Sequence, residues 1–299
     1  MVNKSAYTIA DQIQLLKSRG MLFRDEAHAS LCLKSISYYR LKGYWWDMQS
    51  DFVDHLFKPD SYFEEVINRY NFDRKLRLIL FDAIEHIEVA LRTKMINHLS
   101  LDYGGLWYLD SSLFTDAIIH AKHISDLQTE FNRSQEIFIK DHKRRFSHSD
   151  ADAWKILEVA SFGTLSKIYK NLDHQLPQKA SIAKEMGLNL HSELSSWLEA
   201  ITYIRNIIAH HSRIWSRNMV KTPTEHLNNP PGPWFSNNLS QVQFKKPFLI
   251  MSCMLYLCNM IMPNHDIKTD LLNLFKENNQ IPIYKIGFLN NWDKEPIWK

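Results

Sequence analysis

The chain has 299 residues, 45% of them hydrophobic and 23% charged, enough to bury a core as one large domain or two smaller ones. Eight glycines and ten prolines are too few for the tight turns of an all-β sandwich or barrel, and a net charge of +3 proves nothing about nucleic acid. Three cysteines, Cys32, Cys253 and Cys258, are odd in number and form no CxxC pair or metal spacing, so a reducing cytoplasm is the expected setting.

The N-terminal "MVNKSAYTIADQIQLLKSRG" lacks an apolar signal core. Thr8 is placed to cap a helix over "IADQIQLLKSR" that Gly20 stops, and a second short helix is predicted over "DEAHASLCLKSI". "SYYRLKGYWW" follows, an aromatic and basic patch around Gly43. It reads either as a packed aromatic corner or as a surface on which Tyr39, Arg40, Lys42 and Tyr44 meet phosphates and bases.

Ser61 with Glu64 resembles a capping box. Beyond it Leu76, Leu80, Ala83, Ile84, Ile87, Leu91 and Met95 keep helical spacing until Gly104 and Gly105. Residues 116–146 contain no Gly or Pro and are predicted helical, finishing in the basic "KDHKRRFSH", where Lys143, Arg144 and Arg145 are either a solvated helix end or a phosphate contact. "AWKILEVASFGTLSKIYKNL" suggests two short helices around Gly163. A long helix is expected from His191 to Arg217, then an irregular loop at "NNPPGPWF". Phe248–Met262 is a buried helix too short to span a membrane, and one further helix covers "IKTDLLNLFKEN". The tail carries Trp292 and Trp298, expected to dock on the body. The fold class is all-α.

The stretch "RNIIAHHSRIWSR", Arg205 to Arg217, holds the candidate chemistry. At about 3.6 residues per turn Asn206, His210, Arg213 and Arg217 would form one polar stripe, opposite Trp197, Ile201, Ile204, Ile208 and Trp215. His211 falls on the apolar arc and is expected to be a buried histidine that holds the helix in place. Arg205 sits to the side of the stripe. Arg, Asn and His suit work on a phosphodiester without a metal: His moves protons near neutral pH, Arg stabilises added negative charge, and Asn orients either. No cofactor motif is present: there is no HExxH and no glycine-rich phosphate loop. Glu88 forms an i,i+4 pair with Arg92, or else reaches Arg205 or His210 across the bundle; Glu85 is the weaker candidate for that reach.

Five pieces in order, "ISYYRLKGYWW", "FDRKLRLILFDAIEHIEVALRTKMINHL", "AWKILEVASFGTLSKIYKNL", "RNIIAHHSRIWSR" and "IGFLNNWDKEPIW", make the chain resemble the Abi-like family of abortive-infection proteins, the AbiD and AbiF type within the HEPN superfamily. The resemblance implies a helical bundle of HEPN type (residues 57–262), with an N-terminal helical segment (1–56) and a C-terminal helix and tail packed on the core (263–299). It implies antiphage defence, of a toxin–antitoxin kind, through metal-independent endoribonuclease activity that yields a 2′,3′-cyclic phosphate. Its Arg-Asn-…-His signature maps onto Arg205, Asn206 and His210, and His211 also fits the loose form. It further implies RNA as partner, including a small structured non-coding RNA, and a homodimer, because the chain carries one signature helix. No membrane partner is expected. The alternatives are a non-catalytic binder of that RNA, held by the same Arg213, Arg217 and aromatic-basic residues, and a protein-interaction scaffold.

Overall fold

A computed structural model describes residues 6–146, 150–236, 239–288 and 290–299. Ser147 and His148 of the basic run, Leu289 of the tail and the first five residues of the N-terminal stretch lie outside the described residues. In chain order the α-helices are α1 (Ile9–Ser18), α2 (Glu26–Ser35), α3 (Tyr38–Trp45), α4 (Phe63–Tyr103), α5 (Ala117–Arg133), α6 (Ile137–Arg145), α7 (Ala153–Ile156), α8 (Phe162–Asn171), α9 (Pro177–Glu185), α10 (His191–Ala209), α11 (Gln241–Phe244), α12 (Pro247–Ile261) and α13 (Ile267–Glu277). Among the described residues there is no sheet, only isolated bridges, so the all-α class holds.

The chain divides into two compact units. The first comprises residues up to Leu78, Arg213–Trp215 and Leu272–Pro282. Thr8 caps α1 through a reciprocal pair with Asp11, and Asp25 caps α2. Aromatic rings fill this core: Phe23 stacks on Phe63 at 5.3 Å, and Phe72 packs against Trp215 at 6.1 Å and Phe275 at 6.2 Å. The expected Ser61 capping box does not form. Ser61 Oγ donates to the Met48 carbonyl, and Glu64 instead accepts the Arg24 and Asp25 backbone N–H groups at 3.0 Å. A carboxylate at a helix start serves wherever orphan donors are nearest, here those leading into α2.

The second unit comprises Ile79–Ser212, Ser216–Leu271 and Ile283–Lys299. Leu80, Ala83, Ile84, Ile87, Leu91 and Met95 bury one stripe of α4, as their spacing predicts, and Gly104 (φ 79°) follows its end. Helix α12 is buried from Pro247 to Cys258 on every side, because it is apolar all round. It packs on α10, where Trp197 meets Tyr256 edge-on at 5.5 Å. α8 lies between α5 and α10, with contacts to both. The tail docks as expected: Trp298 is buried, donates its indole N–H to Ser252 Oγ at 3.0 Å and meets Trp292 edge-on.

Several boundaries differ from the sequence reading. Residues 116–146 form two helices, because Ser134 and Glu136 break the run and Ser134 Oγ accepts the Glu136 N–H. Gly163 lies inside α8 rather than between helices, since Ser161 is the N-cap and accepts the Thr164 N–H. Helix α9, which the hydrophobic pattern did not signal, starts with Pro177 at its first position.

Candidate functional site

The largest departure lies in the motif itself. α10 ends at Ala209, so the expected stripe through Arg213 and Arg217 does not exist. The His211 N–H donates to the Ile208 carbonyl at 2.8 Å and the Ser212 N–H to the Ile207 carbonyl at 2.9 Å. These two bonds are the Schellman pattern, with His210 as C-cap and His211 in the position glycine usually takes. His211 accordingly adopts φ 53°, the left-handed region that costs a residue with a Cβ. Both histidines are exposed, so the expected burial of His211 is overturned. The helix ends before both histidines and so favours neither over the other.

The three residues that follow this turn, Arg213–Trp215, belong to the first unit. The Asp73 carboxylate, fully buried, accepts the Trp215 N–H at 2.7 Å and the Ile214 N–H at 3.2 Å. Tyr44 donates its hydroxyl to the same carboxylate at 2.6 Å, and Arg77 pairs with it one turn along α4. Tyr44 is therefore buried, with its hydroxyl engaged, and has no face for an RNA base. Burial pushes the Tyr44 phenol up, reinforced by the carboxylate it donates to. Arg213 lies over Gly43, where a Cβ would come within 2.8 Å of its Nε, and donates to the Trp215 carbonyl. Gly43 thus lets this guanidinium rest on α3. "FDRKLR" carried a signal for this network, an Asp and an Arg at i,i+4 on an otherwise apolar helix face.

In the second unit, the last turns of α10 present Arg205, half-buried, and Asn206, exposed. Both line an open cleft of about 350 Å³. α5 supplies Asp126, Thr129, Glu130 and Arg133 to it, and the start of α8 supplies Ser161, Gly163, Thr164 and Lys167. Glu130 accepts three hydrogen bonds, from the Ser161 N–H at 2.9 Å, Ser161 Oγ at 2.8 Å and Thr164 Oγ1 at 2.9 Å. The α8 wall of this cleft was not foreseen, although Ser161 ahead of "FGTL" is a recognisable cap.

Glu88 makes the i,i+4 pair weighed for it. It pairs with Arg92 at 2.9 Å, and Arg92 also reaches the Ala160 carbonyl at 3.3 Å. Burial raises the Glu88 carboxyl above its ordinary value, while the Arg92 and then the Arg205 guanidinium hold it down and Glu85 adds a small upward push.

The basic surfaces are unequal. Lys143 donates to the Phe131 and Asn132 carbonyls at 3.0 and 3.1 Å, closing the last turn of α5. Arg144 and Arg145 share Asp141 at 2.6 and 2.9 Å but stay exposed. On α3, Tyr39 is 85% exposed, Arg40 is exposed, and the Lys42 ammonium sits 5.8 Å from the Trp46 ring centre. Arg217 is half-buried. Among the described residues no three His, Cys, Asp or Glu side chains are grouped to hold a metal ion, and no helix is long and apolar enough to cross a membrane.

The Abi-like protein family model matches residues 31–216, more than half of the chain. No curated protein and no solved structure matches.

Proposed function

We propose that this chain, which belongs to the Abi-like protein family, is a metal-independent endoribonuclease whose reacting groups sit at the C-terminal end of α10. Family membership implies a part in abortive infection, a defence against phage. The ribonuclease reading rests on one observation above the others. Two exposed histidines follow the Arg205–Asn206 turn at once, and one of them is held in a backbone conformation that costs energy. Glycine would fit the same cap without strain, so the imidazole is carried there at a backbone cost.

In this reading the 2′-hydroxyl of a flexible RNA attacks the adjacent phosphorus. One histidine takes the 2′-hydroxyl proton, and another returns a proton to the 5′-oxygen as the P–O5′ bond breaks. The products are a 2′,3′-cyclic phosphate and a 5′-hydroxyl. Arg205 stabilises the charge on the non-bridging oxygens, and Glu88 positions Arg205. Asn206 orients the phosphate by hydrogen bonding. A second copy of the chain would bring a second Arg205 and histidine pair to the same RNA. This is the arrangement of the HEPN ribonucleases that the sequence resembles.

The test is cleavage of mixed cellular RNA in EDTA by wild type, His210→Ala and His211→Ala. Wild type should cleave and leave cyclic phosphates, and at least one variant should lose about two orders of magnitude or more in rate. Ends bearing 3′-hydroxyl and 5′-phosphate would sink the mechanism. A second reading, a non-catalytic binder of a small structured RNA, is favoured by the exposed Tyr39 and Arg40 on α3. Tight, salt-sensitive binding with no cleavage by wild type would select it.

A further inference from the structure

The cleft beside Arg205 is lined by more cations than carboxylates. Arg133 and Lys167 line it with Arg205, and both are exposed. Among the described residues neither makes an ion pair. Of the two carboxylates present, Glu130 is engaged by three donors from the start of α8. Those donors are uncharged, so three cations, Arg133, Lys167 and Arg205, face two carboxylates, Asp126 and Glu130, across about 350 Å³, a volume at the small end of ligand pockets and wide enough for one nucleotide unit.

Gly163 supplies an independent observation. It occupies the second position of α8, where glycine is a poor helix former, and its backbone is not in the left-handed region. A Cβ there would meet Thr202 Cγ2 at 3.6 Å and Ser161 Oγ at 3.9 Å, both ordinary contacts. Nothing in the packing calls for glycine. Its backbone N–H, in the first turn, has no acceptor within the helix. A bare backbone in the wall of a cationic cleft is what close approach by an oxyanion requires.

We infer that this cleft seats a phosphodiester of the RNA next to the one that reacts, held by Lys167 and Arg133 on one side and Arg205 and Asn206 on the other, against the Gly163 backbone. This rests on the proposal that the end of α10 acts on RNA. It adds two binding residues outside the Arg-Asn-His signature. Arg205 then belongs to two phosphates at once, so loading the cleft places the chain for attack on the next bond. Because recognition is of the phosphate and not of the 2′-hydroxyl, a DNA strand should occupy the cleft without being cut.

The test is equilibrium binding of a short single-stranded 2′-O-methyl RNA, which cannot be cleaved by its own 2′-oxygen, and of DNA of the same sequence. Wild type is compared with Lys167→Ala, Arg133→Ala, Gly163→Ala and the control Lys170→Ala, whose partner is Glu199 on α10. The two cation variants should each weaken both strands about tenfold at low salt and lower the salt slope by about one. Lys170→Ala should match wild type. Gly163→Ala should weaken binding while its thermal midpoint holds or rises, an outcome that misfolding would not give. If Lys167→Ala and Arg133→Ala bind like wild type while the histidine variants still abolish cleavage, the cleft assignment fails alone. If wild type binds neither strand, both the cleft and the ribonuclease reading fail.

Discussion

His211 occupies the cap position where a side chain is least welcome. A residue with a Cβ held in the left-handed region costs about 1 kcal/mol or more, so His211→Gly removes strain while glycine's freedom in the unfolded chain offsets part of the gain. The thermal midpoint of His211→Gly should therefore be unchanged or up by about 2 °C. RNA cleavage should be lost. A fall in the midpoint with cleavage intact would assign the imidazole to the fold. This position was legible in the sequence only in part. Arg205, Asn206 and the histidine pair stood out by residue type. Which histidine pointed where did not, because periodicity carries a helix onward until some partner elsewhere stops it. Asp73, more than a hundred residues upstream, takes the Ile214 and Trp215 N–H groups just beyond.

At the scale of elements, α4 does two separate jobs along one rod. Its N-terminal turns hold Asp73 and Arg77, which gather Tyr44 and the backbone of Ile214 and Trp215. Further along, Glu88 and Arg92 face Ala160 and the field of Arg205. Removing the first cluster should be expensive, since Asp73→Ala leaves a buried guanidinium and two backbone donors unpaired. The expected loss is about 3–5 kcal/mol, read as a lower urea midpoint. Tyr44→Phe, which deletes one donor to the carboxylate, should cost about 1 kcal/mol. If Asp73→Ala were as stable as wild type, Asp73 would not fix the segment after α10. The apolar stripe of α4 and the buried α12 were legible because spacing alone sets which face is buried. The breaks at Ser134 and Ser161 were not, since serine bonds to a neighbouring backbone group without altering the hydrophobic pattern.

For the whole molecule, the assembly of the first unit from three distant stretches of chain has a consequence in time. Synthesis runs from the N-terminus, so Asp73 and Phe72 leave the ribosome long before Trp215, and Phe275 comes later still. Until Leu272–Pro282 has emerged, this unit lacks one wall of its core. Contacts this distant along the chain make folding slow and late. A chain cut after Asp266 should therefore be sensitive to protease within its first 78 residues, where the full chain resists. Equal resistance would show that the N-terminal helices are complete without α13. For a protein that cleaves RNA, as proposed above, the order matters. Ile214 and Trp215 can reach Asp73 once residue 215 has emerged, but Phe72 gains Phe275 only near the end of translation, so the first unit of a nascent or truncated copy stays open where that of a finished one is closed.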